Sequence, residues 1–553
     1  MDSQRPILYL TLLFLLFLTW TTWKQDHAPK PPETAAVAST VANGNAAGQD
    51  VPVANGSSPS SAPNASNGDA GQTITVRTDT LQVRINTRGG EILEADLPTY
   101  PVSIETPDQP VKILDLNGRN YVAQSGLQAS GVVAGQDAKT LAPDHLATYT
   151  APQLDYKLTD GQNELVVPLT WQGANGITVT KRFVFKRGAF LVNVEHEVKN
   201  GSAQAWSGTE YCQLKHGESA QQGSMLGGVT AYVGGAYYHE GKYTKLSFAD
   251  MEKTLVNETV PDGWVAMQEH YFLSAWIPPV EQASSYYTNV SRVDGVKGYI
   301  LGMRSPAKTI APGATDTFKS SFYVGPKDQD ALAKIADGLD LTVDYGIFAF
   351  ISKPIFWLMQ LIHKVLGNWG WTIIFLTIII KAIFFYPSAM SYRSMAKLKA
   401  VSPKLKEINE RFADDPAGKQ KAMMDIYRKE KINPLGGCLP ILIQIPVFMG
   451  LYWVLLESVE LRQAPWLLWY HDLSIKDPFF VLPVLYGISM FVQQKLNPPQ
   501  VDPMQQKMFQ FMPIILTVMF LFFPAGLVLY WVVNNVLSMA QQWYINKQMM
   551  GHA

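Results

Sequence analysis

Charge is scarce in this chain. Of 553 residues only 16% are charged, 45 Lys and Arg against 46 Asp and Glu, where soluble proteins average roughly 25%. The net charge of -1 supplies no basic excess, so nothing in the charge balance supports wholesale nucleic-acid recognition. Cysteine is nearly missing: Cys212 and Cys438 cannot build a disulfide scaffold. Residues 28–72 contain no Lys or Arg after Lys30 and almost no aliphatic bulk. Such a stretch cannot bury enough apolar surface to offset chain entropy and reads as a flexible tether.

What is present is sharply partitioned. Ile7 to Trp23 carries no charge and, at 17 residues, reaches the lower limit for a membrane-spanning helix. A cleaved signal peptide is the alternative, but Thr19, Trp20, Thr21, Thr22 and Trp23 stand where small residues should precede cleavage. The two tryptophans suit an interfacial anchor, so residues 1–27 are read as an uncleaved N-terminal transmembrane anchor.

From 73 to 326 the texture becomes period-two alternation. Ile74 and Val76, then Leu81, Val83 and Ile85, fall on every second position, and 177–198 repeats the pattern. About 250 residues of this kind predict one large antiparallel β-sandwich. It contains no metal-ligand spacing, no Gly-x-Ser-x-Gly and no Walker loop, and His196-Glu197 lacks the second His of a zinc protease helix. The sandwich is therefore read as a spacer or binding domain, and no cofactor is expected.

Residues 327–368 connect this domain to an apolar C-terminal region. Lys353, Gln360 and Lys364 form one polar stripe on an apolar helix, a pattern suited to the membrane interface. Beyond it lie apolar runs at Trp369 to Tyr386, Leu435 to Leu456 and Pro478 to Gln494. Between Lys507 and Lys547 come 39 residues without charge, roughly 58 Å of helix against a hydrocarbon core of about 30 Å. Phe523-Pro524-Ala525-Gly526 is the natural break into two spans. With the anchor this predicts a multi-domain membrane protein: six transmembrane helices and a large extracytoplasmic β-sandwich, with 369–553 as a five-span core.

The loops orient it. Residues 392–432 hold eleven basic and six acidic residues, whereas 457–477 hold two and four. The positive-inside rule places 392–432 in the cytoplasm, with both termini. Residues 28–368 then lie outside, and Cys212 and Cys438 are in different compartments. Residues 392–432 read as a two-helix hairpin about Asp414-Asp415-Pro416-Ala417-Gly418, with Pro403 weakening its first helix.

Polar residues inside the spans point to function. Lys381 lies 12 residues before Arg393, about 18 Å of helix from the basic loop and beyond snorkelling reach. Thr377 shares its face. Gln444, Asn534 and Asn535 fall at similar depth on other spans, so a shared hydrated cavity in the cytoplasmic half is expected. No carboxylate accompanies them, which suggests that negative charge arrives with a client. An intramembrane Asp or Glu would be expected of a secondary transporter with a large sensor domain, the alternative reading.

The block NPLGGCLPILIQIPVF (433–448), with SVELRQAPWLLWYHDLSIKDPFFVLPVLYG, DPMQQKMFQFMP and FPAGLVLYWVVNN, closely resembles the YidC family of membrane-protein insertases in its Gram-negative form. The resemblance implies a non-enzymatic insertase and folding chaperone of the bacterial inner membrane, acting alone or with the Sec translocon. A hydrated cationic groove receives hydrophilic parts of nascent membrane proteins, and an apolar slide releases their helices to lipid. By position, Lys381 and Gln444 match the groove, and Ile445, Phe448, Tyr530 and Trp531 match the slide. Many relatives carry Arg at the position of Lys381; Lys keeps the charge without the bidentate fork. Implied partners are nascent membrane proteins, the lipid bilayer, the Sec translocon, and ribosomes or targeting factors through 392–432. No nucleic-acid recognition is expected beyond ribosome contact. The sandwich resembles sugar mutarotases, but no catalytic pair is evident in it.

Overall fold

The computed structural model describes residues 71–130, 140–173, 176–217, 232–253, 255–293, 296–412, 415–430, 439–497 and 503–550. The expected N-terminal anchor, the tether up to residue 70 and Cys438 lie outside the described residues. The chain divides into two bodies, one formed by Ala46–Ala349 with Trp453–Ser474, the other containing Phe350–Tyr452 and Ile475–Ala553.

The first body is a sandwich of an eleven-stranded and an eight-stranded sheet. In the larger sheet Trp206–Gly217 pairs antiparallel with Val122–Ala129 on one side and Val296–Arg304 on the other. In the smaller, Thr315–Pro326 lies between Leu191–Asn200 and Phe272–Ile277. One core draws on both sheets, including Val83 and Leu214 from the larger and Val179, Phe183, Val194 and Phe322 from the smaller. The cause is the period-two pattern. Along Ile177–Lys186 every second residue is buried, because successive side chains in a strand point to opposite faces.

Several buried positions break the apolar rule, Lys181 and His196 among them. Lys181 and His196 face each other across the Ile177–Lys186 and Leu191–Asn200 pair, and both are fully buried. The Lys181 ammonium donates to the carbonyls of Gly89, Gly90 and Ser125, each at 2.9 Å. Its three donors are thus all matched by backbone of the opposite sheet. Gly89 and Gly90 adopt φ of 73° and 57°, a left-handed conformation that glycine enters without steric cost. A Cβ on Gly90 would lie 2.9 Å from the Lys181 Cδ. His196 Nδ1 is 2.7 Å from the Glu210 carboxylate, and the hydroxyl of Ser320 donates to that same oxygen at 3.4 Å. Burial lowers Lys181 to a pKa of about 7 and pushes the Cys212 thiol well up.

The segment Trp453–Ser474 belongs to this body although it lies deep in the C-terminal third of the chain. Arg462 Nη2 donates to the carbonyls of Pro101 and Val102 at 2.7 and 3.0 Å, and Gln463 Nε2 donates to Pro101 at 2.8 Å. His270 Nε2 donates to the Leu456 carbonyl at 2.9 Å.

The second body is helical, built from Ala349–Leu366, Trp369–Ile383, Phe385–Arg411, Pro416–Lys429, Leu439–Glu457, Val481–Leu496, Pro503–Phe520 and Ala525–Met550, except that Ala349 and the end of Leu439–Glu457 from Trp453 on belong to the first body. The break at 521–524 falls at the expected Pro524. Trp369–Ile383 and Phe385–Arg411 meet at 68°, so the apolar run 369–386 bends where hydropathy alone reads a straight helix. Among the described residues, Gly346–Leu366 alone is long and apolar enough to cross a membrane by itself, and this bent pair passes jointly. Pro403 lies inside Phe385–Arg411 without ending it. The helix holds because Val401 and Leu405, with Leu398, pack against Met423, Ile426 and Tyr427 of the second hairpin helix. That partner begins at Pro416, with the Asp415 side chain accepting the Gly418 N–H at 3.0 Å.

Candidate functional site

In Trp369–Ile383 the buried residues include Ile373, Leu376, Thr377, Ile380 and Lys381. The spacing i, i+3, i+4, i+7, i+8 makes one helix face, and Lys381 sits on it. Packing against Ala525–Met550 encloses that face. Lys381 is only 8% exposed, and its ammonium donates to Ser538 Oγ at 2.7 Å. Ser538 in turn donates to the Asn534 carbonyl one turn earlier, at 2.6 Å. Among the described residues no carboxylate lies within ion-pair distance of Lys381. A neutral hydroxyl satisfies one of the three donors of an ammonium and leaves its charge uncompensated.

The other expected groove residues divide. Thr377 is fully buried on the Lys381 face, with its hydroxyl turned back to the Ile373 carbonyl at 2.6 Å. Asn534 joins the cluster through its backbone. Asn535 points elsewhere: its amide donates to Ser489 Oγ at 3.2 Å, and Ser489 donates to the Tyr486 carbonyl at 2.7 Å. Gln444 is half-buried, and its side chain makes no hydrogen bond among the described residues. Ser538 and Ser489 escaped the sequence reading. The available signal was the i+4 spacing of Ser538 from Asn534 within an uncharged helix.

Three of the four expected slide residues, Phe448, Tyr530 and Trp531, meet in an aromatic cluster. The Phe448 ring lies 4.8 Å from Trp531 and 6.5 Å from Tyr530. Trp531 also approaches Tyr486 at 6.0 Å and Phe520 at 5.9 Å. Four helices therefore share this cluster at centroid separations typical of attractive aromatic pairs. Tyr530 is buried and Phe448 and Trp531 are half-buried; the fourth expected slide residue, Ile445, is 44% exposed.

The YidC periplasmic domain family matches residues 73–358, and the 60Kd inner membrane protein family matches residues 361–552. The membrane protein insertase YidC of Thioalkalivibrio sulfidiphilus is 50% identical over 99% of this chain and 98% of its own length. This chain belongs to the YidC family of membrane protein insertases. The Methylococcus capsulatus insertase is 50% identical over 86% of this chain and 85% of its own. That of Pseudomonas fluorescens is 47% identical over 99% and 98%. A solved structure titled as an active YidC insertase with its first transmembrane domain resolved matches at 16% identity, covering 86% of this chain and 93% of that one, with a TM-score of 0.39. The family's activity is insertion of membrane proteins, and its members are inner membrane proteins, so the paired β-sandwich and helical body are those of a YidC insertase.

Proposed function

We propose that this chain inserts nascent membrane proteins through a groove whose charge is Lys381. The observation carrying the reading is that Lys381 is nearly buried and bound to the Ser538 hydroxyl rather than to a carboxylate. A cation so placed attracts an acidic residue in a client's hydrophilic segment more strongly than it would in water, because the surrounding dielectric is low. The hydroxyl supplies orientation, and an arriving carboxylate displaces it or shares the ammonium. Thr377 and Asn534 supply polar groups beside the charge, and Gln444 and Asn535, the latter turned to Ser489, line the groove further off. Ile445, Phe448, Tyr530 and Trp531 form the apolar route along which the client helix enters lipid, gaining about 0.8 kcal/mol for each buried CH₂. No covalent step is required, so the activity is not enzymatic.

The same proposal extends to topology and partners. The chain crosses the inner membrane six times with both termini cytoplasmic, the β-sandwich is periplasmic, and the helical hairpin within 392–432 meets ribosomes or targeting factors. The Sec translocon shares some clients. The test is complementation of a depleted strain with Lys381→Arg, Lys381→Ala and Lys381→Glu, scored on insertion of small single-span proteins with acidic translocated segments. Arg should rescue, Ala should rescue poorly and Glu least. Equal rescue by all three defeats the charge mechanism.

A further inference from the structure

The stretch Ala464 to Tyr470 lies within the family motif, outside both groove and slide, carries no charge and reads APWLLWY. It forms a tight turn: the Trp466 N–H donates to the Tyr470 carbonyl at 2.7 Å, and the Tyr470 N–H to the Leu467 carbonyl at 3.1 Å. Leu468 sits at φ 57°, an uncommon conformation for a residue that is neither Gly nor Asn. The base is rigid, since Leu461, Ala464, Tyr470 and Leu473 are buried and Arg462 is tied to Pro101 and Val102. The tip is not covered: Leu467 is 43% exposed and Leu468 77%.

A second exposed apolar tip belongs to the same body. Val102, whose carbonyl accepts from Arg462, is 56% exposed, and Ile104, two residues further on, is 42% exposed. Glu105 is the one charged residue in the turn 101–106. Two rigidly joined tips thus present four bare aliphatic side chains, with Trp466 and Trp469 flanking the more exposed pair. Half-buried Trp466 and Trp469 beside exposed Leu467 and Leu468 match the side-chain order of a membrane–water interface, an apolar tip with tryptophan rings next to it. An exposed apolar patch on a rigid base calls for a partner.

We infer that the 464–470 turn, with Val102 and Ile104, is an interfacial anchor that dips Leu467 and Leu468 into the outer leaflet of the inner membrane. This rests on the proposed membrane spans, since the turn lies in sequence between Leu439–Glu457 and Val481–Leu496 and cannot travel far from the bilayer. A lipid occupant is favoured because the four exposed tip residues are aliphatic and the turn is joined in sequence to segments proposed to lie in the bilayer.

The test uses the full chain in phosphatidylethanolamine/phosphatidylglycerol nanodiscs, with Cys438→Ser and the buried Cys212 left in place. A polarity-sensitive fluorophore is attached at Leu468→Cys, at Ile488→Cys on Val481–Leu496, or at Val280→Cys, an exposed position of the sandwich. The anchor predicts that the probe at 468 is blue-shifted, is quenched by brominated acyl chains and is shielded from aqueous iodide, while the probe at 280 behaves oppositely. Iodide quenching at 468 equal to that at 280, without quenching by brominated lipid, overturns the anchor. The probe at 488 keeps the two readings apart: if it is quenched by brominated lipid while 468 is not, the spans stand and the anchor falls. If 488 is open to iodide, the span reading fails, and the result at 468 still decides the anchor.

Discussion

Both bodies of this protein bury lysines, and two of these, Lys181 and Lys381, are treated differently. Lys181 in the sandwich is fully buried and gives its ammonium to three backbone carbonyls. Lys381 in the helical body is 8% exposed and donates to one hydroxyl. Neither has a carboxylate within ion-pair distance among the described residues. The first is consumed by the fold: its charge crosses the sandwich and ties Gly89, Gly90 and Ser125 of one sheet to Ile177–Lys186 of the other. The second has bonding capacity left for something that is not part of the chain. A buried cation is a structural tie or a binding group according to how many of its donors the fold itself satisfies.

The comparison can be broken most directly by exchanging its chemistry. Lys381→Glu should give the largest functional effect, a loss of insertion of about tenfold or more for clients with acidic segments, read as the protease-protected fraction of a pulse-labelled client. Its overall fold, read by circular dichroism, should persist. Lys181→Ala should do the reverse. It removes the tie and leaves a void and three unmet carbonyls, costing about 3–5 kcal/mol of sandwich stability, measured by denaturant titration of the full chain. Lys181→Met keeps most of the volume and should cost less, about 1–3 kcal/mol. Insertion by folded protein at permissive temperature should change little in either variant.

A pH titration sharpens the same contrast. The pKa of Lys181 falls from 10.5 to about 7 on folding because burial disfavours the charged form. Between pH 7 and 10.5 the unfolded chain therefore binds more protons than the native one, and the Lys181 contribution makes stability rise with pH across that window. The stability difference between the parent and Lys181→Met should change along that slope, and a difference independent of pH would refute it. The smallest effect is expected at Arg462. Arg462→Ala loses two hydrogen bonds to Pro101 and Val102 and the approach of its guanidinium to the Phe272 ring at 5.7 Å. It should cost about 1–2 kcal/mol, seen as faster proteolysis within 453–474.

Much of the architecture was legible from local pattern. The alternation at 177–198 forms the paired strands Ile177–Lys186 and Leu191–Asn200. The Pro524 break and the two-helix hairpin about Pro416 stand where expected, since these depend on neighbours within one or two turns of chain. The bend of 68° after Ile383 was not legible, because hydropathy carries no backbone angle. Thr377 and Lys381 were correctly placed on one face by helical spacing. Asn534 and Asn535, adjacent in sequence, were grouped as one polar site, yet consecutive helix positions point about 100° apart, and only Asn534 lies with Lys381. Residues 457–474 read as an ordinary loop, and nothing local reveals that Arg462 finds Pro101 and Val102.

The sequence by itself determined the partition of the molecule, the family, and the presence of an uncompensated lysine in an apolar helix, since composition and periodicity are properties of near neighbours. Only the tertiary structure decided which lysine is spent on the fold. The partners of Lys181 lie 56 to 92 residues away and that of Lys381 lies 157 away. Hydrogen-bond satisfaction over such separations exists only once the distant segments have packed and excluded water, and no local pattern encodes it.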